Sequence, residues 1–383
     1  MCCDPTHQYR ALMLFQSLLI YDTTERMRSA CEMIQFFGFI LLLVGDIAEP
    51  FSMGRDAPDT LSFAPQRSFI IGGVSAPPHL YGWMVSLQRN FTNDEGNDEW
   101  FHICGGSLIT DRLILTAAHC VFARQEKDGL SKLIAPTELK IVVGIKDLNS
   151  SYAIDHEMAV ELIIPHEGFD PADAQMAKDI AIVRLKCSVT YLSSLLSIER
   201  VELPDNASAN SSTPALTEYL IMGWGLTSKK SERNSSDVNT VDEKSLKLQV
   251  ASSSLVDLET CKNIWRGVVD STDALICTDS SNTDVCQGDS GGPLIERYLL
   301  PGDSRWRHRI LGIASFSSAG CGKPGQAAMF TSVEKYLHDF IKPAMDQTRP
   351  DTRAKKCKSL FEHTYTGKFK KLLNTFRRGR RMT

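Results

Sequence analysis

Short apolar, β-branched runs alternate along most of this chain with turns rich in Gly, Pro, Asn and Asp. Runs at 84–88, 107–110, 113–116, 139–143, 159–164 and 180–185 predict strands of an antiparallel barrel. A second set at 219–222, 247–251, 274–277, 293–295, 310–316 and 329–332 predicts another. Over 333–341 the period changes: Val333, Tyr336, Leu337 and Phe340 share one face of a predicted helix, and Pro343 is expected to stop it. Polar stretches at 90–99, 124–132, 171–178 and 228–245 read as surface loops.

Both ends depart from this pattern. The apolar run 34–44, preceded by Arg26 and Arg28, is too short to span a bilayer comfortably and has the charged flank of a secretory signal. A start at Met27 would give a signal of ordinary length, so residues 1–45 read as an N-terminal extension with a signal sequence and the protein as secreted. The rival reading is a signal anchor that keeps the protein on the membrane. Residues 46–69, rich in Pro, Asp and Ser and without cysteine, read as a short propeptide. At the other end, residues 346–383 form a basic tail on a more acidic body, in a chain whose net charge is −4. That net charge argues against a dedicated nucleic-acid binder, whereas the tail suits sulfated glycans or anionic membrane surfaces, or is a removable extension.

Two further counts fit a secretory route. Sequons stand at Asn90, Asn149, Asn206, Asn210 and Asn234. Of 11 cysteines, Cys2, Cys3 and Cys31 lie before or within the signal region, which leaves an even set of eight. The nine histidines are scattered, with no His-Glu-x-x-His and no paired Cys-x-x-Cys spacing, so neither a metal nor a cofactor is expected.

The chemistry concentrates in three motifs. In Gly288-Asp289-Ser290-Gly291-Gly292-Pro293, the glycines let the backbone turn tightly beside a serine hydroxyl and aim N–H groups at a substrate carbonyl. A serine needs a base, and Thr116-Ala117-Ala118-His119-Cys120 supplies one at the end of an apolar run. The base needs an acid to orient it, found in Asp179-Ile180-Ala181-Ile182-Val183-Arg184-Leu185. Singly, each has a bland reading as a core histidine, a strand-edge acid or a glycine-rich turn. Together, in the order His, Asp, Ser, they point to nucleophilic catalysis.

On these motifs the chain resembles the chymotrypsin/trypsin family of serine endopeptidases over roughly residues 70–344. The resemblance implies an all-β fold of two packed antiparallel six-stranded barrels with a C-terminal helix, with catalytic groups from both barrels meeting in the cleft between them. It implies that Ser290 attacks the scissile carbonyl, that His119 shuttles the proton, that Asp179 fixes the imidazole, and that the N–H groups of Gly288 and Ser290 hold the oxyanion. Asp284, six residues before the serine, would sit at the floor of the primary pocket and select Arg or Lys. Ser315, Ser317 and Ala328 would line it. Ile70-Ile71-Gly72-Gly73 matches a mature N-terminus whose freed amino group pairs with Asp289. Bridges Cys104–Cys120, Cys261–Cys277 and Cys286–Cys321 follow from the same resemblance, leaving Cys187 and Cys357 either to pair with each other or to stay as free or intermolecular thiols. Implied partners are protein or peptide substrates, an activating protease and protein inhibitors, acting on a monomer.

The pattern bends at three places: the pocket wall, the activation site and a missing bridge. Ser317 and Ala328 stand where glycine usually lines the pocket, so the pocket should be narrower and broad trypsin-like cleavage less efficient. Relatives with trypsin-like activation carry Arg or Lys directly before the first Ile, whereas this chain reads Arg67-Ser68-Phe69-Ile70. Either a protease with chymotrypsin-like preference cuts after Phe69, or a Ser68-Phe69 overhang is trimmed, or the chain rarely matures. The last case motivates an alternative of another class, a secreted protease homologue acting mainly by binding. Finally, one common bridge is missing at both ends, because its positions read Tyr219 and Glu296.

Overall fold

The computed structural model describes residues 70–346 and Cys357, apart from residues 71, 78, 93–94, 126–128, 150–155, 174, 191–197, 205–213, 226–245, 267–273 and 319–320. The signal and propeptide readings, the tail apart from Asp346 and Cys357, and the sequons at Asn206, Asn210 and Asn234 lie outside the described residues. Among the described residues no helix is long and apolar enough to cross a membrane.

After the short strand β1 (Val74–Ser75), the first half of the fold is built from β2 (Met84–Thr92), β3 (Asp98–Leu108), β4 (Leu113–Thr116), β5 (Phe122–Arg124), β6 (Ser131–Leu133), β7 (Leu139–Val143), β8 (Glu157–Pro165) and β9 (Ala181–Leu185). Six of these close a barrel in the order β2-β3-β4-β9-β8-β7. Continuous apolar runs fill it: Met84, Val85, Leu87, Leu108, Leu113, Ile114, Leu115, Ile141, Ile182 and Val183 are wholly or almost wholly buried. The short strands β5 and β6 pair with each other beside it.

The second half contains β10 (Leu216–Gly223), β11 (Gln249–Ser253), β12 (Leu255–Val256), the helix α1 (Leu258–Ile264), β13 (Leu275–Asp279), β14 (Pro293–Leu299), β15 (Arg307–Phe316) and β16 (Ala327–Ser332). With β1 these strands form one eight-stranded sheet in the order β1-β11-β10-β14-β15-β16-β13-β12. The sheet comes back on itself through the chain. β11 pairs with β10 while β12, after the single residue Ser254, pairs with β13, and the Ser254 carbonyl accepts from Asp279 N at 2.9 Å. Taken as one interrupted strand, β11 and β12 leave six strands around the ring, with β1 added along β11.

Two stretches read as loops are partly regular. β2 and β3 run on through 90–92 and 98–99 as one long hairpin, in which Phe91 stacks edge-on to Phe101 at 5.8 Å and Thr92 donates to Asp98 at 3.0 Å. The interval 124–132 enters β6. Polar side chains there mask strand pairing, because both faces of a projecting hairpin meet solvent. The C-terminal helix also differs. A π-helical turn, Leu337–Ile341, passes into the helix α2 (Lys342–Asp346), so Pro343 does not stop it. Pro343 falls in the first turn of a new α segment, where its missing N–H costs nothing.

Candidate active site

His119 opens a 3-10 turn, His119–Val121, immediately after β4, and Asp179 stands two residues before β9, which pairs with β4. That pairing brings base and acid together. Asp179 is fully buried: its Oδ2 accepts from His119 Nδ1 at 2.7 Å and from Ser315 Oγ at 2.5 Å, and its Oδ1 accepts from the His119 backbone N–H at 2.8 Å. Its own carbonyl accepts from Thr331 Oγ1 at 3.0 Å, so β15 and β16 of the second half clamp an acid that belongs to the first. With Nδ1–H committed to Asp179, the imidazole carries an accepting Nε2, the tautomer a general base requires.

The serine loop is docked against the same place. Ser290 O accepts from Gly105 N at 2.8 Å, and Gly105 O accepts from Thr116 Oγ1 at 2.9 Å. Gly291 has φ +76°, and a Cβ there would lie 2.2 Å from Thr116 Oγ1, so glycine is required for this contact. The imidazole does not hydrogen-bond to Ser290 Oγ; its Nε2 lies 3.7 Å from Cys120 Sγ. The imidazole is thus held on its Nδ1 side by Asp179 and makes no hydrogen bond to Ser290 on its Nε2 side. Cys104, His119 and Cys120 lie close together, but the two sulfurs are a disulfide and offer no thiolate to a metal.

Gly288 has φ +98° and no room for a side chain, since a Cβ would come within 2.9 Å of Gly225 Cα. Its carbonyl is held at 2.9 Å by Nε2 of His102, whose Nδ1 in turn meets Ser86 Oγ at 2.8 Å. The N–H on that same peptide belongs to Asp289 and donates to Cys286 O at 2.9 Å, so the peptide is pinned at both ends. The sequence motifs carried no sign of His102 or Ser86, because the partner is a backbone atom 186 positions away.

Asp289 points inward and is fully buried. Oδ1 accepts from Gly225 N at 2.8 Å and Oδ2 from Cys286 N at 2.9 Å, and burial pushes its carboxyl up to about 7, with the nearby Asp284 adding to the rise. Among the described residues no cation pairs with it. Ile70 is wholly buried in an apolar cluster with Ile221, Ala251, Val285, Leu294, Ala314, Ala328 and Phe330.

Asp284 is also fully buried, with Oδ2 accepting from Gly322 N at 2.6 Å and Oδ1 without a hydrogen-bond partner among the described residues. Burial raises its pKa, against the lowering effect of the Gly322 N–H and of the nearby Ser280 hydroxyl. Ser317 Oγ reaches across to the carbonyl of Val285 at 3.1 Å, and Ala328 is wholly buried on β16. The Cys286–Cys321 bridge, with Cα atoms 5.7 Å apart, ties these walls together.

A family model for trypsin matches residues 70–341. The chain belongs to the trypsin family. Relatives include trypsin delta of Drosophila erecta, 31% identical over 62% of this chain and 78% of the relative. Chymotrypsin-like elastase family member 1 of Bos taurus is 27% identical over 73% of this chain and 90% of the relative. Clotting factor C of Tachypleus tridentatus is 29% identical over 72% of this chain, which spans only 25% of that much longer protein.

Within this trypsin-family chain the remaining sequence-derived sites fall as follows. Cys261 is bonded to Cys277 and Cys187 to Cys357, with Cα separations of 6.1 and 5.7 Å. Asn149 is exposed in a turn, whereas Asn90 lies on β2 opposite Trp100 with its Oδ1 buried. Where a family bridge is missing, Tyr219 on β10 stands directly opposite Glu296 on β14, and Glu296 is paired with Arg309.

Proposed function

We propose that this chain is a secreted serine endopeptidase, cut before Ile70 to become active, that hydrolyses peptide bonds after Arg or Lys. The observation that carries the reading is the fully buried Asp179, which grips His119 at both Nδ1 and the backbone N–H beside a docked Ser290 loop. A buried carboxylate with no catalytic task is costly to keep, and here both oxygens are spent orienting one imidazole.

In the proposed reaction His119 Nε2 takes the Ser290 hydroxyl proton as Oγ attacks the scissile carbonyl. The oxyanion is held by the N–H groups of Gly288 and Ser290. His119 then gives the proton to the leaving amine, the C–N bond breaks, and an acyl-serine remains. Water, activated by the same imidazole, attacks the ester and restores Ser290.

The preference for Arg or Lys rests on Asp284. A fully buried carboxylate with one oxygen unpartnered is destabilising unless a cation arrives, and a guanidinium or ammonium entering the pocket would supply it. Activation rests on Asp289: it has two N–H donors and, among the described residues, no cation, and a freed Ile70 amino group would complete it. Because Phe69 precedes Ile70, the activating protease would favour large apolar residues.

Labelling of the processed protein by a serine-directed phosphonate tests the reading. Wild type should label and Ser290→Ala should not, with folding unchanged. A folded, processed wild type that neither labels nor cleaves peptides would favour the binding-only alternative.

A further inference from the structure

Two features outside the catalytic apparatus meet at Cys357. Cys357 is 2% exposed and bonded to Cys187, which lies two residues beyond β9, on the barrel that carries His119 and Asp179. The root of the C-terminal tail is thus fastened covalently to the body, independently of the backbone that leaves α2 at Asp346.

Beyond that root the sequence has an unusual composition. From Lys368 to Arg381 it carries Lys368, Lys370, Lys371, Arg377, Arg378, Arg380 and Arg381 and no acidic residue. Among them Phe369, Leu372, Leu373 and Phe376 recur at i, i+3, i+4 and i+7, the spacing that puts four large apolar groups on one face of a helix with the cations around them. Charge alone would serve a sulfated glycan, which offers no acyl region to receive an apolar stripe. A bilayer with anionic headgroups offers both, with the cations at the headgroups and Phe and Leu at the acyl boundary.

We propose that residues 368–381 dock on anionic lipid bilayers and that the Cys187–Cys357 bridge carries that attachment to the peptidase body. The bridge matters because Arg353, Lys355 and Lys356 lie between α2 and Cys357. A cut after any of them severs the chain but leaves the tail bonded to Cys187.

The test uses the full oxidised chain and sedimentation with vesicles of phosphatidylcholine alone or mixed with phosphatidylserine, with near-ultraviolet circular dichroism confirming that each variant is folded. Wild type should pellet with the mixed vesicles and stay in solution with phosphatidylcholine alone. K370Q/K371Q/R377Q/R378Q should weaken binding by about fivefold for each charge removed. F369S/L372S/L373S/F376S, with every charge kept, should lose vesicle binding while still being retained on heparin–agarose. Equal pelleting of that apolar variant and wild type, or wild type held by heparin but not by mixed vesicles, would overturn lipid docking in favour of a polyanion site. For the tether, protein with the recognition site of a sequence-specific protease inserted after Arg349, nicked there and verified by mass, should pellet with its body until a thiol reductant releases it. A nicked, unreduced body left in the supernatant would overturn that half.

Discussion

Ser317 Oγ donates to the carbonyl of Val285 at 3.1 Å, and this bond joins the two segments that flank the buried Asp284 carboxylate. Glycine at 317 would remove both the bond and the side chain from the pocket wall. Ser317→Gly is therefore expected to raise kcat/KM for Arg substrates by about tenfold, the scale of small steric changes in a specificity pocket. Hydrolysis of a matched set of Arg, Lys, Leu and Ala substrates checks it. An unchanged Arg rate would show that the bond breaks without cost when substrate enters.

Asp284 should make the preference for basic residues depend on pH. Burial raises its pKa, so the carboxyl takes up a proton at a higher pH than an exposed carboxylate would. Only the ionised form attracts an Arg side chain. On acidification, kcat/KM for Arg substrates should fall before the ordinary carboxylate range is reached, while substrates with a neutral residue at the same position should not share that limb. Asp284→Ser should lower the Arg rate by about 100-fold or more and abolish the extra limb.

How much of this was legible beforehand depends on whether the determinant is local. Ser290, His119 and Asp179 each sit in a motif of adjacent residues, so their chemistry could be read one segment at a time. His102 could not, because its task is to hold Gly288 O across the fold and nothing beside it in sequence announces this. The six strands of the first barrel follow from short apolar runs, whereas the hairpin extension holds Thr92, Asp98 and Glu99, exposed polar residues that read as a loop. Pro343 misled because its effect depends on register: the π-helical turn before it shifts the α segment so that the proline enters at its start. The helix α1 carries its own local signal, the N-cap Asp257, which accepts from Thr260 N at 2.9 Å.

Asp289 gives the uncut chain a distinct stability profile. Its native pKa of about 7 lies above the ordinary carboxylate value, so between the two the folded chain holds a proton that the unfolded chain releases. Its contribution is therefore lost as pH rises from the ordinary carboxylate range to about 7, and it stays lost above. Urea midpoints of the uncut chain should fall from pH 5 to pH 8 for this reason. Asp289→Asn should flatten that slope, although the amide gives up the bond to Cys286 N. After a cut before Ile70, the wild type should recover stability at pH 7 to 8 through its new amino group, and Asp289→Asn should not. An identical slope in wild type and variant before cutting would refute the assignment.

Tyr219 and Glu296 face each other in register across β10 and β14, at the two positions that the family resemblance would join by a further bridge. Polar groups occupy its place: Glu296 accepts from Arg309 Nε at 2.8 Å, and the Arg309 guanidinium lies 5.1 Å from the Tyr298 ring centroid. Directly opposed residues on antiparallel strands have Cα separations of roughly 4.5 to 5.5 Å, within the span that a disulfide accepts. Y219C/E296C should therefore close a bridge without moving the strands. A cross-link of this loop length typically contributes about 2 to 4 kcal/mol, and loss of Glu296 from its mostly buried pair with Arg309 offsets part of it. The double variant should thus melt several degrees above wild type when oxidised and below it when reduced. Peptide mapping under non-reducing conditions establishes whether the bridge forms, and an oxidised, cross-linked protein no more stable than wild type would mean that the Glu296–Arg309 pair already supplies what the disulfide would.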